Sequence, residues 1–163
     1  MSTRLLQATG MMVVTAWAGA SAHAQLCVPQ WDPTIGQPGM NETVNAMTVF
    51  DDGTGPALYV GGWFTAAGGV TVNHIARWDG RSWSPLGPGM AGDRYTTVYA
   101  LTVFDDGTGP ALYAGGDFLT AGGVEVHNIA KWDGHSWSAL GAGTFDGVVF
   151  ALCVFEDGLG SGL

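Results

Sequence analysis

Two pairs of adjacent aspartates are the most obvious candidates for metal binding or acid–base catalysis. Asp51–Asp52 and Asp105–Asp106 each open the same phrase, DDGTG. Paired carboxylates can bind calcium or act as an acid and a base, but both roles require the side chains to converge on one point. Adjacent residues of an extended chain point to opposite faces, and no further acid follows at the spacing of a calcium loop. We therefore expect hairpin turns here, with no metal site and no catalytic residues.

A glycine motif offers a second kind of chemistry. Gly87, Gly89 and Gly92 spell G-x-G-x-x-G, which binds a dinucleotide when a strand precedes it and a helix follows it. Here residues 94–98 lead into another strand, so we expect a loop and no cofactor. The nucleophile motif G-x-S-x-G does not occur in the chain.

The element that must position these residues is a long internal repeat. Residues 44–89 align with residues 98–143, and most of the aligned positions are identical. A frayed third copy, VFEDGLGSGL, begins at Val154. A period of this length is typical of solenoids, propellers and other arrays in which neighbouring units bury each other's faces.

Each unit contains four short runs with strand character. In the second copy they are VYALTVF, PALYAGG, HNIAKWDG and SWSALG. Apolar and polar residues alternate in these runs. No stretch free of glycine has its apolar residues at the 3.6-residue spacing of a helix. Asp and Gly supply the backbone freedom that the turns need, and Pro56 or Pro110 presets the entry to the next strand. The loop DFLTAGGVEV joins the second run to the third.

The order of motifs in each unit resembles the kelch repeat of β-propellers. The segments are LYVGG followed by ARWDGRSWSPLG, and LYAGG followed by AKWDGHSWSALG. The units are also similar to the Gly- and Trp-rich repeats of secreted, propeller-like bacterial proteins. The resemblance implies an all-β fold of four-stranded antiparallel blades, with the Gly pair closing the second strand. The third strand carries Trp78 or Trp132 where kelch repeats more often have Tyr.

The number of units is too small for a closed ring, which usually needs four to eight blades. We expect an outer strand of a partial blade at 25–43, whole blades at 44–97 and 98–147, and the truncated start of a third at 148–163. Such a chain is either a piece of a longer propeller or one of several copies that complete a ring. In both cases the uncovered blade faces predict self-association.

Positions that differ between the copies are the candidates for ligand binding. Trp63 stands where the second copy has Asp117, and Asn73 stands where it has His127. Because these positions vary within an otherwise closely repeated scaffold, we interpret these three (Trp63, Asp117 and His127) as ligand-binding residues on a loop of a rigid scaffold. We expect His74, His127 and His135 to be surface residues. The tryptophans that recur in the strands are expected to pack between blades.

The N-terminal residues have the character of an export signal. Arg4 is followed by an apolar stretch and by Ala22-His23-Ala24, which predicts a signal peptide over 1–24 with cleavage between Ala24 and Gln25. We therefore expect a secreted, periplasmic or cell-surface protein with no membrane span after cleavage. In that compartment Cys27 and Cys153 could pair or stay separate.

Net charge and amino-acid composition limit the classes of partner and of protein that need to be considered. The formal net charge of −9 disfavours nucleic acid as a partner, while 27 Gly and 47% hydrophobic residues are typical of a turn-rich β protein. We expect a non-enzymatic scaffold that binds protein or glycan. The alternatives are a cell-envelope structural module and a fragment of a propeller enzyme such as a hydrolase, lyase or oxidase.

Overall fold

Each repeat forms one four-stranded antiparallel sheet in the computed structural model, which describes residues 39–93, 95–144, 147–156 and 161–163. The described residues contain strands and no helix, so the expectation of an all-β chain is confirmed. The strands of the first repeat are β1 (Thr43–Asp51), β2 (Pro56–Trp63), β3 (Ala66–Ala67), β4 (Val70–Thr71), β5 (Ile75–Trp78) and β6 (Trp83–Pro85).

The second repeat is preceded by a short connecting strand and follows the same plan. Its strands are β7 (Met90–Ala91), β8 (Thr97–Asp105), β9 (Pro110–Asp117), β10 (Thr120–Ala121), β11 (Val124–Glu125), β12 (Ile129–Trp132) and β13 (Trp137–Ala139). A last two-stranded sheet pairs β14 (Phe155–Glu156) with β15 (Ser161–Gly162). The main sheets have the orders β1-β2-β5-β6 and β8-β9-β12-β13, so each is a meander in chain order.

The connecting strand β7 ties the first repeat to the second. It pairs with β10, which itself pairs with β11, so a hairpin inside the second repeat holds the end of the first. Met40 makes the equivalent bridge to Ala67 in the first repeat. The glycine motif itself contains β7 and is followed by the strand β8 and not by a helix. Its interpretation as a loop between repeats therefore holds for residues 87–89, while Met90–Ala91 form a strand.

The DDGTG phrase forms the predicted turn between the first two strands of each sheet. Asp51 pairs in register with Pro56, and the backbone N–H groups of Gly53 and Gly55 donate to Asp51 Oδ1 at 2.9 and 3.0 Å. Both glycines have positive φ, which a side chain would resist. Asp52 points elsewhere and accepts from Thr54, as the expectation of divergent acids requires. The second repeat reproduces these contacts.

The repeats stack through a glycine in the second strand of each sheet. A Cβ added to Gly61 would lie 2.4 Å from Val98 Cγ1, and one added to Gly115 would lie 2.5 Å from Val149 Cγ1. Each such glycine therefore receives the start of the next repeat at backbone distance. The same packing recurs at both junctions, although residues 147–154 are not assigned to a strand.

The Gly pair does not close the second strand, which corrects the expectation from the kelch resemblance. β2 continues through Gly62 to Trp63, and β9 continues to Asp117. Gly62 is required for a different reason, because a Cβ there would lie 2.1 Å from the Thr43 carbonyl oxygen on the neighbouring strand. Trp63 and Asp117 are thus the last residues of strands and do not lie on a loop.

The core fills the space between the two sheets. The larger cluster draws on both repeats and includes Tyr59, Ile75, Leu86, Met90, Val98, Leu112, Phe118 and Trp137. A smaller cluster around Phe64, Val72 and Ala76 lies under the β3–β4 hairpin, within the segment expected to be a plain loop. These hairpins bury the aromatic residue that follows each second strand.

The recurrent tryptophans pack mainly within a sheet. Trp78 and Trp83 are a cross-strand pair with ring centroids 5.2 Å apart, and Trp132 and Trp137 repeat it at 5.3 Å. One of them also reaches across the junction, because Trp137 Nε1 donates to the Leu86 carbonyl oxygen at 3.2 Å. The expectation of packing between repeats therefore holds for Trp137, while the ring pairs belong to single sheets.

The first strands begin at Thr43 and Thr97, the last residues of the segments expected to precede each blade. The predicted signal peptide over 1–24, with its cleavage between Ala24 and Gln25, lies outside the described residues, as does Cys27. Cys153 is exposed.

Candidate functional site

A shallow groove lies where the first two sheets meet, at the end of the strands remote from the DDGTG turns. It has a volume of about 280 Å³. The start of β1, the end of β2 and the start of β8 supply its lining, which consists of Thr43, Asn45, Trp63, Tyr95, Thr97 and Tyr99. Three aromatic side chains thus share one depression with an amide and two hydroxyl groups.

Two lining residues stand at β-bulges. The pairing of β1 with β2 shifts register between Val44 and Ala46, which places Asn45 in the bulge. The pairing of β8 with β9 shifts at the equivalent point and places Tyr99 there. A bulge interrupts the alternation of side chains and turns one of them toward a site. The identical irregularity in both repeats explains how these two residues reach the groove.

The loop that carries Tyr95 is held by its own backbone and side-chain hydrogen bonds. The backbone N–H of Tyr95 donates to Asp93 Oδ1 at 2.9 Å, and Thr97 Oγ1 donates to the Tyr95 carbonyl oxygen at 2.9 Å. Thr97 itself is buried, so this second bond is shielded from water. Tyr95 is 61% exposed, so much of its surface is accessible at the groove.

Trp63 is the one sequence-predicted ligand residue that lines the groove. Its side chain is 48% exposed at the end of β2, opposite Thr43 in register. An exposed aromatic ring with polar groups beside it offers an apolar face together with groups that can orient a ligand. This position is therefore a physically sound candidate for ligand contact.

Asp117 and His127 are not among the groove-lining residues. Asp117 ends β9 opposite Thr97, one strand away from the groove. His127 Nε2 lies 3.2 Å from Glu125 Oε1 on the β11–β12 connection, and the His127 backbone has a positive φ of 47°. The structure thus brings neither of them together with Trp63, and their role in binding stays a prediction.

The groove is lined by uncharged side chains. Among the described residues, the charged ones beside its lining are acids: Glu42 precedes Thr43, Asp117 pairs with Thr97, and Asp93 accepts from the Tyr95 backbone N–H. Arg94, which precedes Tyr95 in the chain, lies outside the described residues. Asn45 Nδ2 donates to the Val98 carbonyl oxygen at 3.2 Å, and this bond leaves Asn45 Oδ1 as an acceptor for a ligand. The arrangement suits a ligand that has hydroxyl groups and a flat apolar face.

A second cluster of polar groups lies at the opposite end of each sheet. Asp52 Oδ2 accepts from the Tyr59 hydroxyl at 2.8 Å and lies 3.1 Å from Arg77 Nε. Burial raises the pKa of Asp52, but hydrogen bonds from Thr54 and Tyr59 outweigh this effect and hold the pKa below its ordinary value. Burial and the bond to Asp52 raise the pKa of Tyr59 to about 12. Arg77 Nε makes no hydrogen bond in spite of its closeness to Asp52, but the other contacts, including the bond from the Arg77 guanidinium to Thr54 Oγ1 at 2.6 Å, tie the cluster to the turn.

The second repeat builds the same cluster with lysine in place of arginine. Asp106 Oδ2 accepts from the Tyr113 hydroxyl at 2.9 Å and from Lys131 Nζ at 2.5 Å. The hydrogen bond from Lys131 is the main cause of a strongly lowered Asp106 pKa. A repeated acid, tyrosine and cation is thus a structural unit of each sheet, and the sequence analysis did not anticipate it.

His74 departs from the expected surface position. It is half-buried, its φ is 65°, and its buried Nδ1 has no hydrogen-bond partner among the described residues. Burial lowers its pKa. The equivalent Asn128 is buried and satisfied, since Oδ1 accepts from the Phe118 N–H and Nδ2 donates to the Thr144 carbonyl oxygen. His135 is exposed as expected.

Two other structural features are absent from the described part of the chain. It contains no group of three or more His, Cys, Asp or Glu residues placed to hold a metal ion. It also contains no helix of the length and apolar character needed to cross a bilayer.

Five groove residues were not predicted from the sequence: Thr43, Thr97, Asn45, Tyr95 and Tyr99. Asn45 and Tyr99 occupy one repeat position and differ, a signal that was present but was not among the variable positions singled out. Tyr95 precedes the aligned block and corresponds to Asn41, whose side chain instead caps the backbone N–H groups of Thr65 and Ala66. Comparing the flanks of the repeat would have found it.

Comparison with known proteins adds no identification to this geometry. No protein family matches the chain, and neither a curated protein nor a solved structure matches it.

Proposed function

We propose that this protein is an exported, non-enzymatic scaffold of the β-propeller type that binds glycans through the groove at the junction of its two repeats. The observation that carries the proposal is the shared depression of Trp63, Tyr95 and Tyr99 with the amide of Asn45. Exposed aromatic rings offer flat apolar surface at low entropic cost, and adjacent polar groups fix orientation. Sugars present both kinds of surface.

Glycan is favoured over a protein partner by the form of the site. The groove is short and concave, while a stable protein interface buries roughly 800 Å² on each side. The described acids around it also disfavour acidic peptides and nucleic acid, because like charges repel. The groove is thus matched to a segment of a carbohydrate chain.

The kelch-like propeller architecture is also part of this proposal. Its support is the meander order of both main sheets and the repeated stacking of Val98 on Gly61 and Val149 on Gly115. Met47 and Val49 on β1 are 65% and 64% exposed, whereas their equivalents Leu101 and Val103 pack on the core. In a propeller another blade would cover this face, and self-association through it is part of the proposal.

The export signal that the sequence predicts over 1–24 favours placement outside the cytoplasm, where glycans are abundant. The contacts of the repeated acids favour the scaffold over the enzyme alternative. Asp52 accepts a hydrogen bond from Tyr59, and Asp106 accepts one from Lys131, so both carboxylates have structural partners. The described lining of the groove contains no pair of acids or histidines of the kind that sugar cleavage uses, and this favours binding over hydrolysis in the proposal.

The test is glycan-array binding by the purified chain and by the variant Trp63→Asp. This substitution installs the residue of the second repeat, so the strand end is known to accept it. We expect binding of the chain to a set of glycans, and a loss of about tenfold to a hundredfold in affinity for the variant, as for an aromatic hot spot.

A matched control is Arg81→His, which also installs the residue of the second repeat. Arg81 is exposed on the turn between β5 and β6, at the opposite end of the sheet. It should bind like the unaltered chain. Absence of any glycan binding, or equal binding by a folded Trp63→Asp variant, would contradict the proposal.

A further inference from the structure

One repeat position carries an aromatic ring at the second junction and none at the first. Val98 packs on Gly61 and is followed by Tyr99; Val149 packs on Gly115 in the same way and is followed by Phe150. At the second junction the rings of Tyr99 and Phe150 are in contact, with centroids 5.0 Å apart and planes inclined at 42°. Two aromatic residues at equivalent positions thus meet each other there.

The first junction lacks one of these two rings. Asn45 occupies the repeat position of Tyr99, and its short side chain bonds to the Val98 carbonyl oxygen. Tyr99 therefore faces a junction in which no aromatic residue of the preceding repeat is its counterpart. The groove of about 280 Å³ lies at this point, so the missing ring defines the space that a ligand can fill.

We infer that the groove accepts a single uncharged sugar ring in the place of the missing aromatic side chain, and that Asn45 determines this specificity. The inference rests on the proposed function and names the ligand class for that same site. The apolar face of the sugar lies against the aromatic lining, and its hydroxyl groups reach Asn45 Oδ1 and the exposed Thr43 hydroxyl.

The charge of the site selects a neutral ring. No described lining residue is cationic, so a carboxylate or sulfate on the sugar would lose its hydration without an ion pair to any described lining residue; Arg94, next to Tyr95 in the chain, lies outside the described residues. Asp93 and Asp117 stand next to the lining and would repel it further. A neutral hexose has no charged group to desolvate and is not repelled by these acids.

The experiment compares neutral and acidic oligosaccharides on the purified chain by isothermal titration calorimetry. The neutral probes are hexamers of glucose and mannose, and the acidic probes are hexamers of galacturonic and mannuronic acid. We expect at least one neutral hexamer to bind about tenfold or more tightly than every acidic one. A preference for the acidic hexamers would overturn the inference while leaving glycan binding intact.

The second arm fills the gap with Asn45→Tyr, which copies the second repeat. We expect neutral-hexamer affinity to fall about tenfold or more, since the new ring takes the place of the sugar. Met47→Leu is the matched control, because it lies on the same strand, copies the second repeat and is exposed outside the groove. It should leave binding unchanged.

The outcomes separate the inference from the proposed function. If no oligosaccharide or array glycan binds, both fail. If glycans bind and Trp63→Asp weakens them, but a folded Asn45→Tyr variant binds the neutral hexamers normally, the proposed function stands and the inference is wrong. If Asn45→Tyr does not fold, the comparison of neutral with acidic probes still decides it.

Discussion

The stacking of repeats through a bare glycine predicts a specific loss of stability in the variant Gly61→Ala. The added Cβ would lie 2.4 Å from Val98 Cγ1 and 2.9 Å from Val98 Cβ. Carbon atoms pack at about 3.5–4.0 Å, so the junction must open or Val98 must move. Overpacking of this kind costs roughly 1–3 kcal/mol. At about 4 °C per kcal/mol for a domain of this size, the melting temperature should fall by roughly 4–12 °C.

The assay is thermal and urea unfolding followed by circular dichroism, with Gly147→Ala as the control. Gly147 is exposed, and a Cβ added there would have no heavy atom within 4 Å. Its alanine variant should melt within about 2 °C of the unaltered chain, as an exposed substitution of roughly 0.5 kcal/mol or less would.

A second substitution tests whether the contact with Val98 is the cause. Val98→Ala alone should cost about 1.5 kcal/mol from the loss of two buried methyl groups. It also removes the atom closest to the new Cβ, so the double variant should be more stable than the sum of the single costs by about 1 kcal/mol. Additive costs, or an unchanged stability of Gly61→Ala, would refute direct stacking of the repeats at this glycine.

Two further predictions concern buried and charged polar groups. His74→Asn should stabilise the fold by about 1 kcal/mol, since asparagine can make the bonds of Asn128. It should also abolish a loss of stability below pH 6.5, which follows because the folded-state pKa of His74 is lowered and its contribution disappears as pH falls through that value. Urea unfolding at pH 5 and pH 7.5 measures both effects, and an equal pH dependence in the variant would contradict them. The lowered pKa of Asp106 gives stability that is complete above pH 3.8 and is lost as pH falls through the folded-state value. Lys131→Gln should flatten this acid dependence between pH 4 and pH 2, and parallel stability curves for variant and parent would disprove the assignment.

The sheet architecture was predictable because the repeat makes local signals visible twice. The DDGTG turn fixes the register of the first two strands, since the Asp51 carboxylate satisfies backbone N–H groups within the turn. Alternating apolar residues then define the strands on either side. These signals are local, so the sequence alone was sufficient for the four runs of each unit.

The ends of the second strands were not predictable by the same reasoning. A Gly pair is usually read as the end of a strand, yet Gly61 and Gly62 lie inside β2. Their lack of a side chain serves contacts with Val98 and with the Thr43 carbonyl oxygen. Both partners lie on other strands, and such close approaches become visible only in three dimensions. The position of Trp63 was therefore misassigned to a loop, although its exposure was anticipated.

The groove was hidden for a related reason. It lies where Asn45 stands in place of the aromatic residue found at the equivalent position of the next repeat. The absence of a ring leaves no motif in the sequence. Asn45 by itself is an ordinary polar residue. Only the contact of Tyr99 with Phe150 at the second junction shows what its position normally holds.

The two ends of the sheets are under different physical constraints, and this asymmetry connects the fold to the proposed site. At the turn end, each acid holds a tyrosine and a cation, so the exchange of Arg77 for Lys131 preserves the charge and the ion pair. At the groove end, Trp63 becomes aspartate in the next repeat with the backbone pairing unchanged. Substitution there costs the scaffold little, because no ion pair or turn depends on the side chain. A repeat protein can therefore vary that end for recognition while the charged turns keep the sheets in register.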